Sequence, residues 1–410
     1  MSKDKPTITV FYIVADFYPA WRLDLTELFS VQLAKGGLEL SWSLWSDTPG
    51  SAGWFEQYGR PTFVAASCKG ESILSRVFNK LLQSVADIRV FFHLVFGPHY
   101  DIIQVRDQCY FSAGLGLLAA RLRGSKFVYW LSFPFPENDM LKAEETQGIK
   151  KYFYKMRGKL SAFWLYRFIF PKADHIFVQS EQMQTDIFER YQTPLEKMTP
   201  VPMGVPSALL DWTAEHPAET VKGRVIYTGT FVKERKLEVL IEAFVIVKKQ
   251  VPYSELWLVG DGTVPEERKM LEQLVQQKQL TDSVHFTGFV PMEQAWSLAA
   301  SAEVCVSPVY PSFVLRPGSP TKLNEYMALA RPCVANDHPE QATTLQSSGA
   351  GLSVPWGSKE FARAIAWMME HPLEAEKMGQ KGPAWVKANR TYDQIAEKVF
   401  AKYQTILDQN

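Results

Sequence analysis

The chain has 410 residues, of which 46% are hydrophobic and 21% charged, and this composition is typical of a folded protein rather than a disordered one. At roughly 100 to 200 residues per domain, the length predicts two domains. The formal net charge is +0, which excludes an overall electrostatic attraction to nucleic acid.

The N-terminal segment, residues 1–17, passes from charged residues directly into a strand-like apolar run. It has neither the longer apolar core nor the small-residue cleavage site of a signal peptide. No apolar run in the chain reaches the ~18 residues that are needed to span a bilayer. We therefore expect a cytoplasmic protein, either free or peripheral on the inner face of the membrane.

Short apolar runs alternate with helical patterns along the chain, as in parallel sheets that are covered by helices on both faces. In the first half, the predicted strands are 8–15, 38–45, 101–105, 126–131 and 175–180. In the second half, they are 224–229, 255–260, 283–288, 304–308 and 332–336. The predicted fold class is α/β, with two Rossmann-like, doubly wound domains.

Proline and glycine interrupt this alternation near the middle of the chain, at residues 200–219, which we interpret as a hinge region. The predicted domains are an N-terminal domain over 1–205 and a C-terminal domain over 206–385. Residues 386–410 have apolar residues at helical spacing. We expect this last helix to pack on a domain surface, with the N-terminal domain as one candidate.

Charged residues follow two strands of the first domain. Asp16 follows the first strand, and Arg106 and Asp107 follow the strand at 101–105. Open parallel sheets bind ligands beyond the carboxyl ends of their strands, so we expect these residues to face a cleft between the domains. They are candidates for an acceptor or sugar site, and the alternative is a salt bridge that fixes a loop.

Residues 142–172 combine eight basic residues with two acidic ones, and eight aromatic residues lie between them. This pattern is typical of an interfacial helix on an anionic membrane. The alternative is a helix whose aromatic residues face the core and whose lysines are solvated. Nucleic-acid binding is disfavoured, because the basic stretch is isolated in a neutral chain.

The segment 224–244 reads as a strand, a glycine turn and an amphipathic helix. Gly229 allows close approach of the backbone to a ligand, and Lys233, Arg235 and Lys236 crowd the start of the helix. An arginine at this place can make bidentate contacts with phosphate oxygens. The alternative is a solvated cluster of charges.

The segment 318–332 reads as a loop that enters a helix, with Ser319 as the cap and Pro320 in the first helical position. The free N–H groups of such a helix start attract anions. Lys322 adds a positive charge, and Glu325 can accept hydrogen bonds from sugar hydroxyls. The two segments together predict a diphosphate site, although each alone also fits an ordinary solvated or capped helix.

These segments, in this order, resemble the glycosyltransferases of family 4, which have the GT-B fold. The similar stretches are 229–244, 256–262, 284–291, 302–308 and 319–335, with weaker ones at 100–107, 173–183 and 201–206. The resemblance implies a retaining transferase that takes a sugar from a nucleotide-sugar and passes it to a glycan or lipid-linked acceptor, in polysaccharide or glycoconjugate synthesis.

The resemblance also assigns the candidate residues. It implies that Arg235 binds the leaving diphosphate and that Glu325 holds the ribose. From its place at the helix start, Lys322 is expected to share the stabilisation of the diphosphate. Gly229 matches the turn glycine beside the phosphates. The backbone of Phe289 and Val290 matches the position that usually contacts the nucleobase. The remaining donor-site candidates are the following residues: Thr230, Lys236, Ser319, Pro320 and Thr321.

Several positions depart from the family pattern. Pro317 stands where a second glutamate is usual, Thr230 where an arginine is common, and Lys236 where a glycine is common. Ser132 lies in the stretch where many relatives have a histidine, and it joins the acceptor-site candidates. His99 and His175 are interpreted as structural.

We predict no metal site and no cofactor, because no Asp-x-Asp motif follows a strand and the four cysteines are far apart. Two alternatives stay open: a catalytically degenerate scaffold of a membrane assembly, and a GT-B sugar-nucleotide epimerase or phosphorylase. A dinucleotide oxidoreductase is disfavoured, because neither first-strand turn contains GxGxxG. The nucleobase, the sugar and the acceptor are left open.

Overall fold

A computed structural model describes residues 7–20, 22–46, 48–68 and 72–409. The chain forms two compact units. Unit 1 ends at Pro202 and resumes at Tyr392, and unit 2 is Met203–Thr391.

Unit 1 contains the strands β1 (Ile8–Phe17), β2 (Leu38–Trp45), β3 (Gly53–Gln57), β4 (Arg60–Val64), β5 (Ile102–Arg106), β6 (Lys126–Leu131), β7 (His175–Val178) and β8 (Met198–Pro200). Unit 2 contains β9 (Val221–Thr228), β10 (Glu255–Val259), β11 (Val284–Phe286), β12 (Ala302–Ser307), β13 (Cys333–Asn336) and β14 (Gly351–Val354).

The first helices are α1 (Ile73–Phe96), α2 (Tyr110–Arg123), α3 (Phe135–Glu145), α4 (Ile149–Ala162), α5 (Phe170–Lys172), α6 (Glu181–Tyr191), α7 (Ser207–Glu215) and α8 (Glu238–Gln250). They are followed by α9 (Pro265–Gln277), α10 (Met292–Ala300), α11 (Thr321–Ala328), α12 (Pro339–Ser348), α13 (Ser358–Glu370), α14 (Pro372–Gly379), α15 (Gly382–Asn389) and α16 (Tyr392–Asp408). Two further segments are π-helical: Asp24–Leu33 and Phe163–Ile169.

The sheet of unit 1 has the strand order β3-β4-β2-β1-β5-β6-β7-β8. Its neighbours are parallel except for the hairpin of β3 and β4. One apolar core lies between this sheet and a layer that contains α1, α2, the second π-helix and α6. The first π-helix and α16 cover the opposite face. Helices therefore cover both faces of a largely parallel sheet.

The sheet of unit 2 is parallel throughout its strand ladders, with the order β11-β10-β9-β12-β13-β14. Here α8, α9 and α13 contribute to the core on one face, and α7, α10, α11, α12 and α15 to the core on the other. The order reverses between β9 and β12, which is the switch point of a doubly wound sheet. The predicted α/β class with two doubly wound domains is confirmed.

The two units can be compared with the predicted domain boundary, the predicted hinge region and the C-terminal helix. The chain passes between the units at Pro202 and Met203, three residues before the predicted boundary. The rest of the segment interpreted as a hinge contains α7, whose Leu209 is fully buried in the core of unit 2. The C-terminal helix α16 belongs to unit 1, where Ile395, Val399 and Tyr403 lie in the apolar cluster.

None of the helices within the described ranges is long and apolar enough to cross a membrane.

Candidate functional site

The switch point of unit 2 places two predicted segments side by side. Because β9 and β12 are neighbouring parallel strands, Gly229 and the loop 308–320 leave the sheet at the same edge. That loop leads into α11. Ligands of open α/β sheets bind at such a point, so the topology brings together the two halves of the predicted diphosphate site.

Glycines end three adjacent strands at this edge. Gly229, Gly260 and Gly288 follow β9, β10 and β11 and have φ angles of 134°, 135° and 72°. The Gly229 N–H donates to the Val259 carbonyl at 2.8 Å, and a Cβ on Gly260 would lie 2.1 Å from the Gly229 carbonyl oxygen. Only glycine fits these conformations and this approach without strain, and the backbone at Gly229 stays open toward a ligand.

Two cationic side chains converge on Gly229. An added Cβ there would lie 2.7 Å from Lys322 Cε and 3.0 Å from Arg235 Nη1. Arg235 ends a short 3₁₀ turn, and its Nη1 donates to the hydroxyl of Tyr227 at 2.8 Å. Lys322 Nζ lies 5.4 Å from the centre of the same Tyr227 ring. One tyrosine on β9 therefore contacts both cations.

The start of α11 is fixed to its surroundings by side chains. The Tyr326 hydroxyl accepts from the Thr228 N–H at 2.8 Å, which joins α11 to the end of β9. Ser319 Oγ accepts from the Met203 N–H at 2.9 Å. The prediction that Ser319 caps the helix is therefore wrong, because its hydroxyl is engaged elsewhere and the N-cap is Pro320, without a side-chain cap. The first N–H groups of α11 stay available to an anion.

A pocket of about 320 Å³ lies over this edge. Six predicted residues line it: Gly229, Thr230, Arg235, Thr321, Lys322 and Glu325. The opposite wall comes from α10 and was not predicted; it consists of Met292, Ala295, Trp296 and Ala299. Their side chains carry no charge, so nothing in the sequence pattern distinguishes them from ordinary helix residues.

The electrostatics of the pocket favour an anionic ligand. Burial, and then the charge of Arg235, lower the pKa of Lys322 well below its usual value, although Glu325 opposes the shift. Burial raises the pKa of Glu325, and Lys322 partly offsets this. Neither Lys322 nor Arg235 forms an ion pair within the described residues. A guanidinium and a lysine amine without ion-pair partners, beside free helix N–H groups, are suited to phosphate oxygens.

The other five predicted donor residues are described by the structure but do not line this pocket. Ser319 and Pro320 lie just before α11. Phe289 is 67% exposed after Gly288, whereas Val290 packs against the apolar cluster of unit 2. Lys236 has φ 51° and ψ 48°, a left-handed conformation that favours glycine. This explains in backbone terms why glycine is usual at that position of the family.

In unit 1, Arg106 and Asp107 form a buried ionic network. Only 1% of the Arg106 side chain is exposed, and it pairs with Asp24 and, through Nε at 3.1 Å, with Asp107. Burial raises the pKa of Asp24, but Arg106 and Arg22 outweigh this effect and lower it. The structure therefore favours the alternative that these charges fix a loop, since Arg106 is not accessible to an acceptor.

The two remaining acceptor-site candidates of unit 1, Ser132 and Asp16, differ in whether their polar atoms are already hydrogen-bonded. Ser132 belongs to the same network, because its N–H and hydroxyl donate to the Asp107 carboxylate at 2.7 Å and 2.5 Å. Asp16 Oδ1 accepts from the Phe17 N–H at 2.8 Å, and its Oδ2 has no hydrogen-bond partner among the described residues. Of the four acceptor-site candidates, Asp16 is the one with an uncommitted carboxylate oxygen.

Over the described part of the chain, no group of three or more His, Cys, Asp and Glu side chains is arranged to hold a metal ion.

Two family models match consecutive parts of the chain. The model described as glycosyltransferase family 4 matches residues 56–209, and the model described as glycosyl transferases group 1 matches residues 222–371. The first falls almost entirely in unit 1 and the second entirely in unit 2.

Two named relatives are similar over part of their length. The α-D-kanosaminyltransferase of Streptomyces kanamyceticus is 22% identical over 253 residues, which cover 59% of this chain and 63% of the relative. The lipopolysaccharide core biosynthesis glycosyltransferase LpsD of Rhizobium meliloti is 45% identical over 65 residues, 16% of this chain and 17% of the relative. The matches thus span less than two thirds of either relative.

Solved structures resemble nearly the whole chain. The sucrose-phosphate synthase of Thermosynechococcus elongatus superposes with a TM-score of 0.73 at 19% identity, covering 98% of this chain and 100% of that one. HepE of Anabaena, solved in complex with UDP, gives 0.68 at 16% identity, covering 97% and 100%. At these identities, the likeness establishes the fold.

Proposed function

This chain belongs to the glycosyltransferases that join a family 4 domain to a group 1 domain in the GT-B fold, and we propose that it transfers a sugar from a nucleotide-sugar to an acceptor hydroxyl. The convergence of Arg235 and Lys322 above Gly229 is the observation that carries this proposal. It provides a guanidinium, a lysine amine and an open backbone at the switch point of a parallel sheet.

The donor diphosphate binds over Gly229 in this proposal. Its oxygens accept hydrogen bonds from Arg235, from Lys322 and from the N–H groups at the start of α11. Negative charge grows on the diphosphate as the bond to the sugar breaks, so fixed donors at this place lower the barrier. Glu325, one helical turn after Thr321 on the pocket wall, accepts hydrogen bonds from the ribose hydroxyls.

Transfer with retention of configuration needs no protein base in this scheme. The acceptor attacks the anomeric carbon on the face that the diphosphate leaves. A diphosphate oxygen takes the proton of the acceptor hydroxyl as the new glycosidic bond forms. The histidine that many family members have near Ser132 is then dispensable, and Asp16 is left as the candidate that orients the acceptor.

The acceptor class is a glycan or a lipid-linked glycan. One relative, LpsD, is a lipopolysaccharide core transferase by name, which favours an acceptor held at a membrane. Residues 142–172 would then attach the protein to the inner face of that membrane. The basic and aromatic side chains in this range support the attachment, because cations and aromatic rings are both favoured at an anionic interface.

Nucleotide binding by two variants tests the donor site. Arg235→Ala and Glu325→Ala should each weaken the binding of nucleotide-sugars by about tenfold or more, since hydrogen bonds to charged groups contribute roughly 1.5 to 3 kcal/mol. Lys233→Ala is the matched control, because Lys233 belongs to the same 3₁₀ turn but is exposed and does not line the pocket. A thermal-shift panel of nucleotide-sugars, followed by calorimetry, measures the affinities. Unchanged affinity in both variants would disprove the site, and a wild type that binds no nucleotide-sugar would favour a scaffold.

The proposed enzyme uses no metal ion or other cofactor, because Arg235, Lys322 and the N–H groups at the start of α11 stabilise the negative charge of the diphosphate. Transfer should therefore continue in the presence of EDTA. If EDTA abolishes transfer and Mg²⁺ or Mn²⁺ restores it, the roles given to the two cations are wrong.

A further inference from the structure

Helix α1 is apolar on two opposite sides. Its inner residues Ala86, Val90 and Leu94 are buried in the core of unit 1. Its outward face carries exposed apolar side chains at intervals of three and four residues: Phe78, Leu81, Val85, Ile88, Phe92 and Phe96. A surface helix normally turns a polar face to water, so this outward stripe is unpartnered in the isolated chain.

Exposed apolar residues recur on two further long helices of unit 1. On α2, the exposed apolar residues are Phe111, Leu118 and Leu122. On α4 and the residue after it, they are Ile149, Tyr152, Phe153, Met156, Leu160 and Phe163. Sixteen of the thirty exposed large apolar side chains in the described residues therefore lie on α1, α2 and α4 with Phe163. Such a concentration marks an interaction surface rather than scattered exposure.

Helices α1 and α2 belong to one layer, and the π-helix that continues α4 lies beside α2 in it. Residues of α1, of α2 and of the π-helix that continues α4 pack on the same face of the unit 1 sheet. Helices α1 and α2 contact each other, and Trp164 Nε1 of the π-helix donates to the Tyr110 carbonyl of α2 at 2.9 Å. These contacts hold α1, α2 and the π-helix side by side, with the apolar stripes of α1 and α2 directed away from the sheet, while α4 leads into the π-helix and packs on α3.

Positive charge accompanies these stripes. The segments 73–96, 110–123 and 149–172 contain twelve Lys and Arg residues and one acidic residue, Asp87. The whole chain is neutral, so the rest of it carries a net negative charge. Arg121 pairs with Asp174 and Arg157 with Asp139, but the exposed Lys150, Lys151, Lys155 and Lys159 have no such partner among the described residues.

We infer that the outward faces of α1, α2 and α4 form one surface that binds a bilayer with anionic headgroups. This inference rests on the proposed membrane location and extends it from residues 142–172 to α1 and α2. The apolar stripes enter the boundary between headgroups and acyl chains, and the lysines contact lipid phosphates. Attachment is peripheral, since no described helix can span the membrane.

A bilayer fits this surface better than a partner helix. A coiled-coil partner would cover the single stripe of α1, whereas exposed apolar residues continue across two further helices. The surplus of basic residues around them matches the negative potential of an anionic leaflet.

The decisive variant changes α1 and leaves the lysines of α4 intact. Leu81, Ile88 and Phe92 are 58%, 42% and 53% exposed, so Leu81→Gln/Ile88→Gln/Phe92→Gln should fold normally. The matched control is Val221→Gln/Tyr253→Gln/Leu373→Gln, three exposed apolar residues of unit 2. Flotation with vesicles of phosphatidylglycerol and phosphatidylcholine in equal parts, and with phosphatidylcholine alone, measures binding. Thermal shift with the nucleotide-sugar identified by the panel, and circular dichroism for folding, are measured in parallel.

We expect the wild type and the control to float with the anionic vesicles, and to float less with neutral ones or at high salt. The α1 variant should lose about tenfold or more in vesicle binding. Lys150→Ser/Lys151→Ser/Lys155→Ser/Lys159→Ser should lose the dependence on anionic lipid.

An α1 variant that binds vesicles as the wild type does would overturn the inference and confine any attachment to residues 142–172. A wild type that does not bind vesicles, but whose oligomeric state by light scattering changes in the α1 variant, would show a protein interface instead. The thermal shift with the nucleotide-sugar reports the donor site separately, so loss of vesicle binding with an intact shift leaves the proposed transferase standing.

Discussion

Tyr227 holds Arg235 over the pocket. Its hydroxyl accepts from Arg235 Nη1 at 2.8 Å and donates to the Thr230 carbonyl at 3.1 Å. The phenol is buried at the end of β9, where burial raises its pKa although Arg235 opposes the shift. A buried neutral side chain thus fixes the direction of a guanidinium that would otherwise move freely.

Tyr227→Phe should weaken nucleotide-sugar binding by about three- to tenfold, the effect of one lost hydrogen bond of roughly 0.5 to 1.5 kcal/mol. The ring stays in the core, so the melting temperature should change little. A double-mutant cycle by calorimetry checks the mechanism. In the Arg235→Ala background, Tyr227→Phe should have no further effect, and a full additional loss would show that Tyr227 does not act through Arg235.

Gly229→Ala should abolish tight nucleotide binding. Residue 229 has φ 134°, which side chains rarely adopt, and the new methyl group would displace Lys322 Cε and Arg235 Nη1. Gly124→Ala is the control that separates backbone strain from displacement of the two cationic side chains. Gly124 also has a positive φ, 71°, but no atom lies within 4 Å of the added Cβ. We expect both variants to lose stability and only Gly229→Ala to lose nucleotide affinity. Equal affinities in the two variants would contradict the proposed position of the diphosphate.

The central strands were predictable because they are buried on both faces and therefore read as continuous apolar runs. The predicted runs at 38–45 and 126–131 coincide with β2 and β6. The strands that were not predicted are short or lie toward a sheet edge: β3, β4, β8 and β14. Helix α1 also escaped prediction, since a helix that is apolar on both sides lacks the single stripe that identifies a surface helix.

The candidate site was predictable only where a residue of suitable charge also follows a strand of the predicted sheet. Arg235 and Lys322 lie 87 residues apart in the sequence, and both follow strands that the topology makes neighbours. The buried pair of Arg106 and Asp24 was not predictable, because nothing near Arg106 in the sequence indicates a partner 82 residues away. A charged residue after a strand looks the same whether it faces a ligand or a buried carboxylate.

His175 gives unit 1 a defined sensitivity to acid. It is buried at the start of β7, with Nε2 2.8 Å from Thr199 Oγ1. Burial, and then Lys402 and Lys197, lower its pKa from 6.5 to about 3. The unfolded chain takes up a proton below about pH 6.5 and the folded chain does not, so acidification favours unfolding between about pH 6.5 and 3.

The variant His175→Gln should remove this dependence and keep a polar partner for Thr199. Between pH 7 and pH 5, the free energy of unfolding of the wild type should fall by about 2 kcal/mol more than that of the variant. Urea unfolding at the two pH values measures the difference. Equal pH dependence would mean that His175 is protonated in the folded protein.

We expect Lys322 to link donor binding to proton uptake. In the empty pocket, burial and then Arg235 lower its pKa well below the usual value, and Glu325 only partly opposes this. A bound diphosphate would bring negative charge beside the ammonium group and raise this pKa. Between the pKa of the free protein and that of the complex, binding must therefore take up protons.

Calorimetry of a nucleotide-sugar in buffers of different ionisation enthalpy measures this uptake, and the sugar ester is used because its diphosphate does not titrate near neutral pH. We expect proton uptake by the wild type and weaker binding as the pH rises above the pKa of the free lysine. Lys322→Arg should bind without uptake, because a guanidinium stays charged throughout this range. Lys322→Met should lose both the uptake and most of the affinity, since it leaves the diphosphate with Arg235 and the start of α11 alone. If the wild type takes up no proton at any pH at which it binds the donor, Lys322 does not contact the diphosphate, and Arg235 alone must counter its charge.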